Sequence, residues 1–489
     1  MARPRKPEAP APAPEEGLAE RPLRYAYEYT PEVAALLEEF NGKFYVVSDF
    51  GSRCRVCWEE QVHWRKGRSM ELHAQAVYDF TVGRMNDLVR VGGTEENPEF
   101  ANKADAWLNH PLRRQYERVV FDPGGRPDAE RGDGCRNLWR GFAYEDKAGD
   151  CSLYLGHLRE NVCDGDPAKY AYLVGWMAYA VRNPGEQGHV AVVVYGDKGV
   201  GKNVFAEGFA ALWGQHSLVV SDQQRVTRNF NAHLQDKCVL VADEAYYAGS
   251  RSSEGVLKAL ITGGTLTIER KGVDAVTCPN FLRLIMIGNE PHQVRASEDE
   301  RRYLVMRCSD RRRGDTGFFA ALMAQLDGGG YSALLHHLLH EVDLEGFEVR
   351  TAPHTDELRE QMGASLRGAE DAWFECLVSG RAPGTLRREG TVDMEVSELA
   401  DWAVRHKPRE WGRVNARHVG RLFGAAHRGM NFSASQLGPR GEQVRKKEIP
   451  CLRTSRELWD RLRFHGPWHQ VKGWETEDWE AIEWAVSPR

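Results

Sequence analysis

The chain has 489 residues, of which 42% are hydrophobic, 28% charged and 10% aromatic, and its formal net charge is −6. That length accommodates roughly two to four domains with cores of their own, and the balance excludes a wholly disordered or collagen-like chain. Net acidity excludes a global basic field, so any nucleic-acid contact has to come from local patches. The ten cysteines are scattered, which fits reduced thiols in a cytoplasm rather than a disulfide framework.

Residues 1–22, "MARPRKPEAPAPAPEEGLAERP", are rich in Pro, Ala and Glu and lack the apolar core of a signal peptide. They bury too little to fold and read as a disordered tail. Residues 23–165 form a mixed N-terminal domain. Strand-like runs, "KFYVVSDF" and "CRVCWEE", precede a helical pattern over "SMELHAQAVYDFTVGRMNDLVRV". Cys54 and Cys57 make one CxxC with no second pair, and His63 and His73 are poorly spaced for zinc, so two thiols on a strand are the expectation.

Residues 166–187, containing "DPAKYAYLVGWMAYAVRNP", read as a helical collar with Asp166 capping its start and Pro184 closing it. No run approaches the ~18–20 apolar residues of a membrane span. From residue 188 to 350 strands and helices alternate. "HVAVVVYG", "SLVVS", "KCVLVAD", "LRLIMIGN" and "YLVMRCS" are unbroken apolar runs, as expected of strands buried on both faces of a parallel sheet. "GFFAALMAQLDGG" and "YSALLHHLLHEV" then supply a helical lid. Residues 351–489 are charged and mainly helical in pattern. A winged-helix module with Arg413, Arg417 and Arg421 on a polar face is one reading and an ordinary solvated face the other.

The chemistry gathers in the strand–helix region. "YGDKGVGKN" follows a buried strand and opens a helix, the context of a phosphate-binding P-loop. Gly196, Asp197, Lys198, Gly199, Val200, Gly201, Lys202 and Asn203 are its cofactor-binding residues. The glycines bring main-chain N–H groups close to phosphate, and Lys202 places a cation at a helix N-terminus. "KCVLVADEA" ends an apolar strand in Asp243 and Glu244, one carboxylate for a Mg²⁺ shell and one to polarise a water. "LRLIMIGNEP" stops at Asn289, a neutral amide able to orient that water. "SEDERRYLVM" sets Arg301 and Arg302 before a strand. Either could be an arginine finger reaching across a subunit interface, or pair with Glu298, Asp299 or Glu300. "TLTIER" and "AVTCPNF" read as a hairpin with Lys271-Gly272-Val273-Asp274 at its tip, where Arg270 and Lys271 form a basic crown suited to phosphate or simply to solvent.

This ordered set resembles the superfamily-three helicases of small DNA viruses and poxviruses. It is more similar to the phage and plasmid primase-helicase C-terminal family, through "NLWRGF", a helix ending "NP", "FNAHL", "ADEA", "LKALITG", "ERKG", "IGNEP" and "ERRYLV". The likeness spans about residues 110–310, is looser over 25–110 and fades beyond about 350. It implies an α/β fold with an AAA-like P-loop NTPase core, and an ATP- and Mg²⁺-dependent DNA helicase acting in replication of a phage or mobile element. By resemblance, Lys202 and the loop glycines bind ATP, Asp243 serves Mg²⁺, Glu244 is the base and Asn289 the sensor. Arg270 and Lys271 contact DNA, and Arg302, before Arg301, is the finger. It further implies a homohexameric ring on single-stranded or forked DNA in a bacterial cytoplasm.

Two features depart from that pattern. Asn203 stands where a hydroxyl residue ordinarily ligates the metal, and its amide oxygen is an acceptable hard ligand. Residues 1–190 show no constellation of metal-binding acids and histidine for nucleotidyl transfer, which leaves priming to a separate primase or polymerase chain. Two other functions fit the same residues: an ATPase that loads or remodels proteins on DNA, and a nucleotide-gated DNA-binding protein.

Overall fold

Five runs of Val, Ile, Leu, Ala and Met, each too short for a helix and apolar on both faces, have to lie inside a sheet covered on two sides. In the structure, a computed structural model, four of them do, while the fifth, Ser217–Val220, lies at the sheet edge with Val219 exposed. The structure describes residues 29–61, 70–125, 134–221, 231–244, 251–270, 273–296 and 300–365, together with short pieces between 385 and 449. The chain divides into two compact units. One holds most of residues 29–120 with 130–136, and the other takes in Gln61, the segment from Phe121 and the chain from Asn137 onward.

The first unit opens with helix α1 (Pro31–Lys43), whose N-cap Thr30 accepts from Val33 N while Pro31 occupies the first turn. Strands β1 (Phe44–Asp49), β2 (Arg55–Gln61) and β3 (Met70–Ala76) follow. Helix α2 (Val77–Val82), the hairpin of β4 (Leu88–Gly93) and β5 (Pro98–Asn102), and helix α3 (Lys103–Leu108) come next. Strands β6 (Gln115–Val120) and β7 (Cys135–Asn137) complete a sheet of order β3-β2-β1-β6-β7. Phe40, Phe44, Phe80 and Trp107 pack together in its core.

The helix expected over residues 69–91 is only six residues long here and has a strand on each side. Val77 and Phe80 are the apolar positions it contributes to the core. The two flanking segments pair in the sheet and the hairpin instead, an override of local periodicity by tertiary packing. Cys54 is exposed and Cys57 is buried on β2, both free thiols.

The second unit contains helix α4 (Ser152–His157), which runs into a π turn over Leu158–Val162, and helix α5 (Pro167–Arg182). Asp166 Oδ1 accepts from Ala168 N and Lys169 N at 2.8 and 3.1 Å, the cap expected from the sequence. Strands β8 (Ala191–Tyr195), β9 (Ser217–Val220), β10 (Val239–Asp243), β13 (Arg283–Gly288) and β14 (Tyr303–Arg307) form one wholly parallel sheet of order β14-β8-β13-β10-β9. Helix α6 (Lys202–Leu212) follows β8, and α7 (Arg251–Thr262) leads into the hairpin of β11 (Thr265–Arg270) and β12 (Val273–Pro279). Only residues 271 and 272 separate those two strands, so the turn is tighter than the four-residue tip read from the sequence. Lys271 lies outside the described residues, as does the side chain of Arg270.

Helices α8 (Thr316–Gln325) and α9 (Tyr331–His336) extend through π turns at Leu326–Gly330 and His337–Glu341. Helix α10 (Asp356–Ser365) brings Leu358 into the buried cluster that includes Tyr303 and Val305 of β14. Beyond it, residues 385–386, 392–395 and 446–449 make a three-stranded antiparallel sheet. The winged-helix arginines, Arg413, Arg417 and Arg421, lie outside the described residues. No helix among the described residues is long and apolar enough to cross a membrane.

Candidate functional site

Parallel pairing fixes which residues meet. Tyr195 at the end of β8 is in register with Gly288 of β13 and Arg307 of β14, and Asp243 at the end of β10 with Ile287. Every loop that follows these strands therefore emerges at one carboxyl edge, where open α/β sheets bind their ligands. The loop 196–201, the Asp243-Glu244 pair and Asn289 all sit on that edge.

The loop has a shape that side chains would obstruct. Gly199 and Gly201 have φ of +81° and +93°, and a Cβ on Gly201 would stand 2.5 Å from the Phe319 ring and 2.7 Å from His157. Its last turn feeds α6, whose first residue is Lys202. The Lys202 side chain folds back over the loop. Its Nζ donates to Gly196 O and Asp197 O, both at 2.7 Å, and to Asn289 Oδ1 at 3.1 Å. Burial pushes the Lys202 ammonium below its ordinary pKa, while the surrounding carboxylates oppose that shift.

A second chain of contacts joins the carboxylates. Asn289 Nδ2 donates to Glu244 Oε1, so one amide links the lysine to the acid. Asn203 Nδ2 donates to Asp243 Oδ2 at 2.9 Å. Glu244 adopts φ +51°, in the left-handed region that costs a non-glycine residue, while its N–H still donates to Ile287 O at 2.8 Å. Strain held in place by a ladder hydrogen bond at a strand end is a frequent mark of a working residue.

Sequence reasoning missed the groups that hold the loop from behind. Asn161, in the π turn after α4, donates from Nδ2 to Val200 O at 2.5 Å. His157 Nε2 lies 3.0 Å from Gly201 O, and its ring is pushed down to about 4 chiefly by burial, so it is neutral and donates from Nε2. Its Nδ1 is buried with no hydrogen-bond partner. The turn after β14 completes the frame. Gly314 N donates to Gly199 O at 3.2 Å, and Arg313 Nη1 reaches Asp197 Oδ2 at 2.6 Å. The arginine run "DRRRGD" directly after a strand, on the carboxyl edge, was the available signal for Arg313. Two single polar residues in a buried helix and π turn gave none for His157 and Asn161.

The two arginines before β14 are elsewhere. Arg302 precedes the amino end of β14, its carbonyl accepting from Ala191 N at the start of β8, and so lies a strand's length from its own chain's loop. Its Nη1 pairs with the buried Glu300 at 3.1 Å, one of the partners the sequence allowed, and Arg301 is exposed. Within one chain neither arginine joins the Lys202 cluster.

The fold and site together define an α/β protein whose parallel sheet carries a glycine-rich loop, an Asp-Glu pair and a terminal Asn on one edge. A model of a family of unknown function, DUF5906, matches residues 194–302, from the end of β8 to Arg302. The chain is also similar to the DNA primase-polymerase of Nitratiruptor phage NrS-1, with 26% identity over 153 residues. That match covers 31% of this chain and 21% of the phage protein, so about a fifth of that relative's length is represented. Among solved structures, an apo structure of the NrS-1 C-terminal region has a TM-score of 0.54 at 14% identity, covering 86% of this chain and all of that one. A second, the A form, has a TM-score of 0.55 at 14% identity over 80% of this chain and 96% of that one. At such identity these likenesses establish shared fold alone.

Proposed function

We propose that this chain is an ATP-dependent DNA helicase of the superfamily-three type, built on an AAA-like P-loop NTPase core and working in replication of phage or mobile-element DNA. The observation that carries the reading is the linked set Lys202–Asn289–Glu244 beside Asn203–Asp243, all on the carboxyl edge of one parallel sheet. Similarity to a phage DNA primase-polymerase supports a replication role.

The residues fit a nucleotide and its cation. Lys202 spends two hydrogen bonds on loop carbonyls, and phosphate oxygens would take them over as stronger charge-assisted bonds. Asp243 and Asn203 lie side by side and are accessible, so a carboxylate and an amide oxygen are available to Mg²⁺, which when bound would neutralise and orient phosphate oxygens. Glu244 would accept the proton of the attacking water, and Asn289 would hold that carboxylate in place and sense occupancy through Lys202. His157 and Asn161 keep the loop carbonyls turned away from the phosphates. Arg302, remote from its own loop, would act in trans on a neighbouring subunit's site in a homohexameric ring encircling single-stranded DNA, with a separate primase or polymerase as partner.

The test is ATP binding, ATP hydrolysis and fork unwinding by the purified full chain. Hydrolysis stimulated by single-stranded DNA together with strand displacement is the expected result. Lys202→Ala should lose ATP binding, whereas Glu244→Gln should bind ATP and fall by on the order of 10² or more in hydrolysis. Hydrolysis without displacement would replace the helicase by a loading or remodelling ATPase, and DNA binding gated by unhydrolysed ATP would replace the enzyme altogether.

A further inference from the structure

Away from the loop, three side chains far apart in sequence converge on one point. His336 closes α9 and His340 follows it by four residues in the adjoining π turn. Their ring centroids are 4.7 Å apart. Asp146, in the extended segment before α4, divides its carboxylate between them. Oδ1 is 2.8 Å from His336 Nδ1, and Oδ2 is 2.7 Å from His340 Nε2. The three donor atoms all lie within 4.8 Å of one another.

We propose that Asp146, His336 and His340 form a binding site for a borderline divalent cation of the Zn²⁺ class, which fastens the segment before α4 to the end of α9. Two imidazoles four residues apart on a helix with one carboxylate are a donor set for Zn²⁺, Co²⁺ or Ni²⁺ and a poor one for Mg²⁺ or Ca²⁺, which prefer oxygen. Ligands about 2.0–2.1 Å from a tetrahedral ion stand about 3.3 Å from each other. The two carboxylate–imidazole separations are therefore about half an ångström short of that spacing, and small side-chain rotations bring one oxygen and both nitrogens onto a shared ion.

Two further features match a metal centre rather than a chance ion pair. Glu341 Oε1 lies 3.9 Å from His336 Nε2, the nitrogen that faces away from Asp146. That distance is too long for a hydrogen bond, but a small rotation would bring the carboxylate onto the far nitrogen, where a liganding histidine usually has its orienting partner. The site also keeps an open face, since the side chains of Asp146 and His340 are 41% and 51% exposed, which leaves a fourth position for water or for a group from another molecule. Stacking of Tyr144 on Tyr331 at 4.7 Å and the hydrogen bond from Gln325 Nε2 to Asp150 Oδ2 at 2.7 Å already hold the same segment against the helices. The donor atoms thus start near their bound positions.

Titration of the metal-free full chain with Zn²⁺ by calorimetry, and with Co²⁺ by visible absorption, tests the site. One equivalent of Co²⁺ should give a nitrogen–oxygen spectrum with no thiolate charge-transfer band, and Zn²⁺ should raise the thermal midpoint. Asp146→Asn, His336→Ala and His340→Ala should each weaken binding at least tenfold and abolish the thermal shift. His337→Ala, a neighbour turned toward Glu341 instead, should retain both. All four side chains are partly exposed, so the metal-free variants should melt close to wild type. Binding left intact in His340→Ala, or a thiolate band, would move the metal to another site. No binding at micromolar Zn²⁺ would reduce the trio to a surface ion-pair cluster.

Discussion

At the carboxyl edge of the parallel sheet, Lys202 is held by two loop carbonyls and the Asn289 amide, and Asp243 by the Asn203 amide. At the amino edge Arg283 is equally buried, but its guanidinium donates to Asn183 O, Pro184 O and Phe281 O and lies over the Trp213 ring. Both edges bury a cation and satisfy most of its donors. They differ in what a ligand can displace. The carboxyl-edge partners border an accessible loop and two carboxylates that a cation can recruit, whereas the amino-edge partners are fixed chain carbonyls with nothing to exchange. A buried cation is thus a binding group or a structural one according to the mobility and access of whatever satisfies it. Arg302 stands between these cases, at the amino edge yet 32% exposed and tied to a single carboxylate.

The largest expected effect comes from Arg302. If the amino edge of one subunit completes the carboxyl edge of the next, Arg302→Ala should reduce ATP hydrolysis by on the order of 10³–10⁵ while leaving ATP affinity nearly intact. Mixing it with Lys202→Ala subunits should restore part of the turnover, because an interface with an intact loop and an intact arginine then forms. No recovery at any mixing ratio would confine the two edges to separate roles. The salt bridge to Glu300 would then be the whole function of Arg302.

Arg283 should behave oppositely. Arg283→Met keeps the volume but removes the donors to the half-buried Pro184 O and Phe281 O and one of two to Asn183 O, which Glu186 N still reaches, at a cost of about 2 kcal/mol in unfolding free energy. The urea midpoint should fall accordingly, while ATP affinity and turnover per folded molecule stay the same. An unmoved midpoint would mean that water or a shifted loop satisfies those carbonyls, and the sharp contrast between the edges would lose its structural half.

The carboxyl edge was legible in the sequence because its parts are punctuated. Val192, Val193, Val194 and Tyr195 run straight into Gly196, and Asp243 and Asn289 each end an apolar run, so strand ends and polar residues coincide. The order of the strands and the side of the sheet on which each arginine lies depend on non-local pairing and left no local trace. For the same reason His157 and Asn161 were invisible behind the loop, and His336 and His340 were read simply as part of a helix. Asp146, the residue that gives that pair a meaning, is about 190 positions earlier in the chain. Residues 69–91 misled because Phe80 and its neighbours mimic a longer helical period, while the segments on each side were committed to strands.

The smallest effect bears on the residue that departs from the usual P-loop pattern. Asn203 turns its amide nitrogen toward Asp243, since a carboxylate can only accept from it. A cation between them would favour the opposite orientation, with Oδ1 inward, and the rotation is inexpensive because the terminal torsion of Asn is broad. Asn203→Thr retains both a donor for Asp243 and an oxygen for the metal, so hydrolysis should stay within a few-fold of wild type. Asn203→Leu keeps the bulk and loses both, and should need on the order of tenfold more Mg²⁺ for half-maximal turnover. If the Leu variant follows the wild-type curve through the whole titration, position 203 is outside the metal shell. The exchangeable character of the carboxyl edge would then rest on Lys202, Asp243 and Glu244 alone.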